Sequence, residues 1–232
     1  MKVCVLMPTY NEMGPLTQTV EAVVQVAPDL DLLIIDDNSP DGTGDLGDLL
    51  ANKHPQLRVL HRQAKQGLGR AYIAGFEWAI ENGYDYIVQM DADGSHRPDD
   101  LPLVVEAAAE NRLVIGSRWV PGGAVLNWPW YRQWISRAGN LYARLTLRSH
   151  VKDITAGFRC YPVSFLTGLE LELVRAQGYG FQIEMTKLAQ DSGVAVEEVP
   201  ITFVERESGV SKMTYKIIFE AFWLCTKWAF RR

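Results

Sequence analysis

The sequence predicts an α/β fold, a mostly parallel, doubly wound central sheet with helices on both faces. Three observations lead there. Short apolar runs alternate with amphipathic stretches as far as Ser117, the β-α-β-α order of a parallel sheet. Several of those runs end in acidic or polar turns, where open parallel sheets bind ligands. A hydrophobic share of 47% with 22% charged residues suits an ordinary globular core, and 232 residues are ample to build one.

Taken in order, residues 3–7 form a strand that starts at once, so the N-terminus does not read as a signal peptide. A helix over 15–26 has Pro15 near its first turn, where a missing N–H costs nothing. A strand over 32–36 runs into the turn Asn38-Ser39-Pro40-Asp41-Gly42. A helix over 43–52, a strand over 58–61 and a helix over 68–82 follow, the last stopped by Gly83 at a C-cap position. The strand over 86–90, a helix over 98–111 and a strand over 113–117 complete this half. Beyond Ser117 the rhythm changes. Pro121-Gly122-Gly123 opens a loop through 127–131, and a helix is expected over 132–148. A short segment over 157–161 precedes another helix. A helix over 181–192, a late strand over 196–204 and a closing helix from Lys212 end the chain. With no repeat and no low-complexity linker, one domain over 1–232 is expected.

Charge is unevenly divided. Residues 1–111 carry 7 Lys and Arg against 18 Asp and Glu, whereas 112–232 carry 16 against 10. An acidic first half suits a cation, and a basic second half suits an anionic partner or a membrane surface. Nucleic acid is not expected, because the chain is acidic overall, at −5, and holds no recognised nucleic-acid module. Three scattered cysteines, Cys4, Cys160 and Cys225, give neither a disulfide framework nor zinc spacing, and a reducing cytosol is the simplest setting. No apolar run reaches the roughly 18 residues of a membrane span.

Chemistry concentrates at strand ends. Asp91 and Asp93 follow the strand over 86–90, and residues i and i+2 of an extended chain face one side. The pair therefore offers its oxygens to one hard cation. Asp37 either accepts N–H groups of a nucleobase or makes the turn and caps the next helix. Tyr10 is placed to stack on or flank a base. Gln66-Gly67-Leu68-Gly69 opens a helix without the full series of a dinucleotide or P-loop motif. It serves close backbone packing on a nucleotide beside Lys65, or simply starts a helix.

Pro8-Thr9-Tyr10-Asn11-Glu12, Asp36 to Thr43, Lys65-Gln66-Gly67-Leu68-Gly69 and Asp91-Ala92-Asp93, in that order, resemble the family 2 glycosyltransferases, with a glycosyltransferase A fold. Asn127-Trp128-Pro129, Gly157-Phe158-Arg159 and Arg206-Glu207-Ser208-Gly209-Val210-Ser211-Lys212-Met213 narrow this to a likeness to the dolichyl- and polyprenyl-phosphate mannose synthases. The resemblance implies an inverting transfer of mannose from GDP-mannose to a polyprenyl or dolichyl phosphate. It implies a donor site of Pro8, Tyr10, Glu12, Asp37, Lys65 and Asp91, and Mg2+ or Mn2+ on Asp91 and Asp93. It also implies phosphate-handling roles for Arg118, Arg206 and Lys212, with Asp93 and these three as the catalytic set. Arg137 and Arg159 would hold the acceptor phosphate. Some relatives carry Gln where this chain has Ser95, a weaker neutral ligand whose place water can fill. On this reading 1–117 bind the nucleotide, 118–211 the acceptor, and 212–232 form a C-terminal helix.

Six basic residues lie between Arg132 and Arg159 with only Asp153 against them, and Arg suits bidentate phosphate recognition. A phosphate monoester, with a second pKa near 6, is largely a dianion at neutral pH and needs aim and screening, not a general base. Glu184 is accordingly assigned an orienting role. An isoprenoid acceptor implies a membrane. The aromatic patch over 126–131 with Trp134, and the apolar stretch 215–232 with its basic ends, suit an interface. The alternative for the final stretch is a docked helix. The expected location is cytoplasmic, peripheral on the cytoplasmic face of a membrane, with any firm anchor coming from a partner protein. Three alternatives are a UDP-glucose-dependent glucosyltransferase on the same acceptor, a sugar-phosphate nucleotidyltransferase, and a non-catalytic nucleotide-sugar binding protein. The second usually opens with a Gly-rich, Arg-containing loop where this chain has Pro8 to Glu12.

Overall fold

The computed structural model describes residues 1–205 and 215–230. The first half alternates as expected: β1 (Val3–Thr9), α1 (Met13–Val26), β2 (Asp31–Asp36), α2 (Thr43–Lys53), β3 (Leu57–His61), α3 (Leu68–Glu81) and β4 (Tyr86–Gln89). The helix expected over 98–111 is shorter, a 3-10 turn at Pro98–Asp100 and then α4 (Leu101–Glu106). Arg112 Nη1 donates to the Ala107 carbonyl at 3.1 Å and Ala109 bridges back to Arg112, so the chain turns early into β5 (Arg112–Ser117). There follow β6 (Ala124–Leu126), α5 (Trp130–Leu147), β7 (Arg159–Pro162), α6 (Val163–Thr167), α7 (Gly178–Asp191), β8 (Ala195–Pro200), β9 (Thr202–Val204) and α8 (Tyr215–Phe230).

The main sheet has seven strands in the order β3-β2-β1-β4-β7-β5-β8. Neighbours pair in parallel except around β7, which is antiparallel to both β4 and β5. From β1 the chain builds outward through β2 and β3, then returns to place β4 on β1's other side. That reversal leaves a crevice at the carboxyl ends of β1 and β4. Alternate residues of each strand feed separate cores. Leu6, Leu33 and Ile87 pack with Tyr72, Phe76 and Phe181 on one face. Val5, Met7 and Ile34 pack with Leu16 and Val20 on the other. Helix α3 rides close to the sheet because residue 75 is glycine, whose added β-carbon would lie 2.5 Å from Ile35 Cδ1.

The late strand expected over 196–204 is two. Pro200 ends β8, and the buried Ile201 donates its N–H to Ser117 O at 3.1 Å while its carbonyl takes Ala124 N–H at 2.9 Å. This turns β9 into a separate parallel pair with β6. All three cysteines are buried and free. Among the described residues no helix is long and apolar enough to cross a membrane.

One expectation is corrected here. Arg159 was assigned to the acceptor phosphate, but it lies on the central antiparallel strand with none of its surface exposed. Its guanidinium donates to the carbonyls of Ile154 (2.7 Å), Ala156 (2.7 Å) and Gln182 (2.9 Å) and to Thr186 Oγ1 (3.0 Å). Those acceptors sit where the loop before β7 and helix α7 meet, and buried carbonyls need donors. Arg159 is a structural cross-brace. Arg159→Met should lower the unfolding free energy by about 2–4 kcal/mol, since it strands those carbonyls. Urea titration measures this, and an unchanged midpoint would refute the brace.

Candidate active site

The reversal between β1 and β4 opens into a cleft of about 440 Å³. Every residue assigned to the donor lines it: Pro8, Tyr10, Glu12, Asp37, Lys65 and Asp91, together with Asp93. Local chemistry puts them there. Thr9 Oγ1, at the end of β1, donates to Asp36 Oδ1 at 3.1 Å, and Asp36 also takes Ser39 N–H at 3.0 Å. Asp36 is therefore spent on the turn and tethers β2 to β1, and Asp37 is the acid left to line the cleft. Asp37 is paired with Arg62, whose Nη2 donates to Gln66 Oε1 at 2.9 Å. Burial pushes the Asp37 carboxyl pKa upward while Arg62 pulls it down. Lys65 Nζ sits 3.7 Å from the centroid of the Tyr10 ring, so one face of that ring carries a cation.

Asp91 and Asp93 are held by backbone geometry rather than by a large acidic cluster. Gly94 adopts φ +78°, a left-handed turn open to glycine, and Asp93 Oδ1 takes Ser95 N–H at 3.0 Å. Tyr72, buried, donates its hydroxyl to Asp91 Oδ1 at 3.5 Å. Burial and then the Asp91 charge raise the Tyr72 pKa well above its usual value, so the phenol stays protonated as a donor. Among the described residues no group of three or more His, Cys, Asp or Glu could hold a metal ion. The residues still fit a hard divalent cation of the kind that keeps water and takes other oxygens from a diphosphate, because two carboxylates face one cleft. Ser95 is buried, its Oγ has no hydrogen-bond partner among the described residues, and it is not on the cleft wall. Of the three residues expected at the cation, Asp91 and Asp93 line the cleft and Ser95 does not.

On the other side of the cleft Arg118 and Asp153 form a buried bidentate pair, Nε to Oδ2 at 2.7 Å and Nη2 to Oδ1 at 2.6 Å. Burial by itself would lower the Arg118 pKa, but Asp153 more than offsets it and the guanidinium stays charged. Arg118, Trp128, Arg132, Thr155 and Tyr179 also line a second, apolar pocket of about 110 Å³ that continues between α5, α7 and α8. Arg132 lies 4.2 Å from the Trp128 ring centroid and pairs with Glu205. Trp128 is buried and its indole N–H has no hydrogen-bond partner among the described residues. Arg137 is exposed, 4.5 Å from the Trp119 ring centroid, and lines neither cavity. Arg206 and Lys212 lie outside the described residues.

Several cleft residues escaped the sequence reading. Arg132 and Tyr179 carry no motif of their own and are brought in by α5 and α7. His96 follows the acidic pair. Its Nδ1 accepts Asp91 N–H at 3.0 Å, which leaves the neutral ring's proton on Nε2, and its ring stacks on Phe158. Its place beside Asp91 and Asp93 was the available signal. Gln182 lines the cleft with a buried Oε1 that has no hydrogen-bond partner among the described residues; its block, Phe181-Gln182-Ile183-Glu184, belongs to the family resemblance, which gives it no site role.

The chain is 50% identical over 228 residues to an undecaprenyl-phosphate mannosyltransferase of Micrococcus luteus, covering 98% of this chain and 94% of that protein. It is 48% identical over 229 residues to a polyprenol monophosphomannose synthase of Mycolicibacterium smegmatis, covering 98% and 86%. Its fold is similar to glucosyl-3-phosphoglycerate synthase of Mycobacterium tuberculosis bound to Mn2+, UDP and product (TM-score 0.67, 20% identity, 97% and 80% coverage). It is also similar to a mannosyltransferase of Pyrobaculum calidifontis bound to GDP-Man and Mn2+ (TM-score 0.62, 17% identity, 98% and 71% coverage). The model of glycosyl transferase family 2 matches residues 4–168, and with the nucleotide-sized crevice at β1 and β4 this makes the chain a member of that family.

Proposed function

We propose that the chain transfers mannose from GDP-mannose to a polyprenyl phosphate, with inversion at the anomeric carbon. The observation that carries this reading is the junction of two unlike cavities. A polar cleft with two carboxylates meets a narrow apolar pocket at Arg118, Trp128 and Arg132. A nucleotide sugar suits the first and the start of an isoprenoid suits the second. The anionic phosphate joining them then falls among guanidinium groups. The two relatives, one named an undecaprenyl-phosphate mannosyltransferase and the other a polyprenol monophosphomannose synthase, support the same assignment.

The chemistry needs little from the protein beyond aim and charge. A phosphate oxygen of the acceptor attacks the anomeric carbon from the face opposite the diphosphate. The new bond is C–O–P, the bond to the β-phosphate oxygen breaks, and GDP leaves with the electron pair. Asp91 and Asp93 would hold Mg2+ or Mn2+, which when bound screens the charge gathering on the diphosphate. Arg118, oriented by its ion pair with Asp153, presents guanidinium N–H donors at the junction, and Arg132, paired with Glu205, adds a second guanidinium. The family resemblance assigns Arg137 to the acceptor phosphate and Arg206 and Lys212 to phosphate contacts. Residues 1–117 carry most of the donor site.

The acceptor's tail calls for a lipid surface. Trp130, Trp134, Leu141 and Leu145 on α5 are exposed, Trp134 at 70%, as are Phe222 and Trp223 on α8, and the apolar pocket opens between these two helices. Such aromatic faces suit an interfacial position, here on the cytoplasmic side of a membrane.

Asp93→Ala should cut transfer by at least about a hundredfold at saturating Mn2+, as loss of the cation site demands, and a variant retaining most activity would remove Asp93 from the site. A donor panel with polyprenyl phosphate should yield labelled lipid from GDP-mannose and little from UDP-glucose. The reverse result would establish the glucosyltransferase alternative. Trp134→Ala with Trp223→Ala should weaken sedimentation with anionic vesicles several-fold while sparing turnover on a short, water-soluble prenyl phosphate, and equal loss on both acceptors would argue against an interfacial role.

A further inference from the structure

Residues 175–179 wall the donor cleft through Gln177, Gly178 and Tyr179 and then enter α7. Backbone N–H groups at a helix start have no partner within the helix. Two carboxylates from different helices serve this one. Glu184, on α7 itself, takes Ala176 N–H at 3.2 Å. Glu220, on α8, takes Gln177 N–H at 3.2 Å across 43 residues of sequence. The contacts around the segment are close on both sides. A β-carbon at Gly69, at the start of α3, would lie 2.9 Å from Ala176 O. A β-carbon at Gly180 would lie 3.0 Å from Leu224 Cδ1 and 4.0 Å from Glu220 Oε1, so α8 packs tightly on the first turn of α7. Simple capping of α7 does not require a second acid from another helix. Burial and the neighbouring Glu220 charge both raise the Glu184 pKa, so bringing the two acids together carries an electrostatic cost.

We propose that Glu220 is a positioning residue for the donor nucleotide: through Gln177 N–H it holds the 175–179 wall against the glycine-rich start of α3, making α8 part of the donor site's scaffold. This rests on the nucleotide-sugar reading of the cleft. Helix α8 then has two jobs. Phe222 and Trp223 face outward toward lipid, while Glu220, on the same turn, fixes the cleft wall.

The test measures equilibrium binding of GDP with Mn2+ to the full chain by calorimetry, without lipid, beside steady-state kinetics. Glu220→Ala should weaken GDP about tenfold and raise the donor KM to match, with kcat little changed. Glu220→Gln keeps an acceptor oxygen and should stay within about twofold of the parent. A purely structural role would lower the melting temperature of Glu220→Ala and leave GDP affinity unmoved, which overturns the proposal. So does equal weakening in Glu220→Ala and Glu220→Gln. Should Glu220→Ala not fold, Glu220→Asp, one methylene short of Gln177, takes its place with the same expected loss. A parent protein that binds no GDP refutes the donor reading itself, a result distinct from a parent that binds and variants that bind equally well.

Discussion

The buried charge of Asp153 is the constraint around which the side of the cleft opposite Asp91 and Asp93 is arranged. A carboxylate removed from water must be paired and hydrogen-bonded, or it destabilises the fold by several kcal/mol. Asp153 meets that demand with the Arg118 guanidinium and backbone N–H, and with Asn140 Nδ2 at 3.3 Å. Its own N–H goes to Glu198 at 2.9 Å. One acid thus ties the end of β5, the middle of α5 and strand β8 to a single point. The geometry of Arg118 at the junction of the two cavities follows from satisfying Asp153, and a guanidinium already desolvated and oriented loses little on meeting an anion.

The donor half obeys a different rule. There the switch between β1 and β4 makes the crevice, and turn chemistry decides which acids face it. Asp36 and Asp37 are adjacent and chemically equal, yet Asp36 is consumed by Thr9 and Ser39 while Asp37 faces the cleft. The protein therefore separates its tasks by sheet position. Strand ends in the first half line one side of the cleft, and the guanidinium groups of Arg118, just after β5, and Arg132, on α5, line the other. A phosphate nucleophile is already charged at neutral pH, which fits a junction built from cations rather than from a general base.

Much of this was legible in the chain. The apolar runs of β1, β2 and β4 and the polar turns after them are local features, and the donor residues they carry all reach the cleft. The misreadings share a cause. Arg159 was grouped with its basic neighbours because its charge is visible in sequence. Its burial is not, since it depends on β7 inserting antiparallel between β4 and β5. The split of the late strand at Ile201 depends on partners 77 or more positions away, Ser117 and Ala124. Arg132, Tyr179 and Gln182 belong to helices whose orientation no local pattern specifies.

By itself the sequence determined the order of elements as far as β5, the two carboxylates and the division between an acidic first half and a basic second half, because periodicity, turn residues and charge act over a few neighbouring positions. Only the tertiary structure decided which arginines meet the cleft and which brace the core, and that Glu220 of α8 reaches the backbone of Gln177. Those outcomes depend on desolvation and on hydrogen bonds between segments far apart in the chain, and burial is a property of the packed whole.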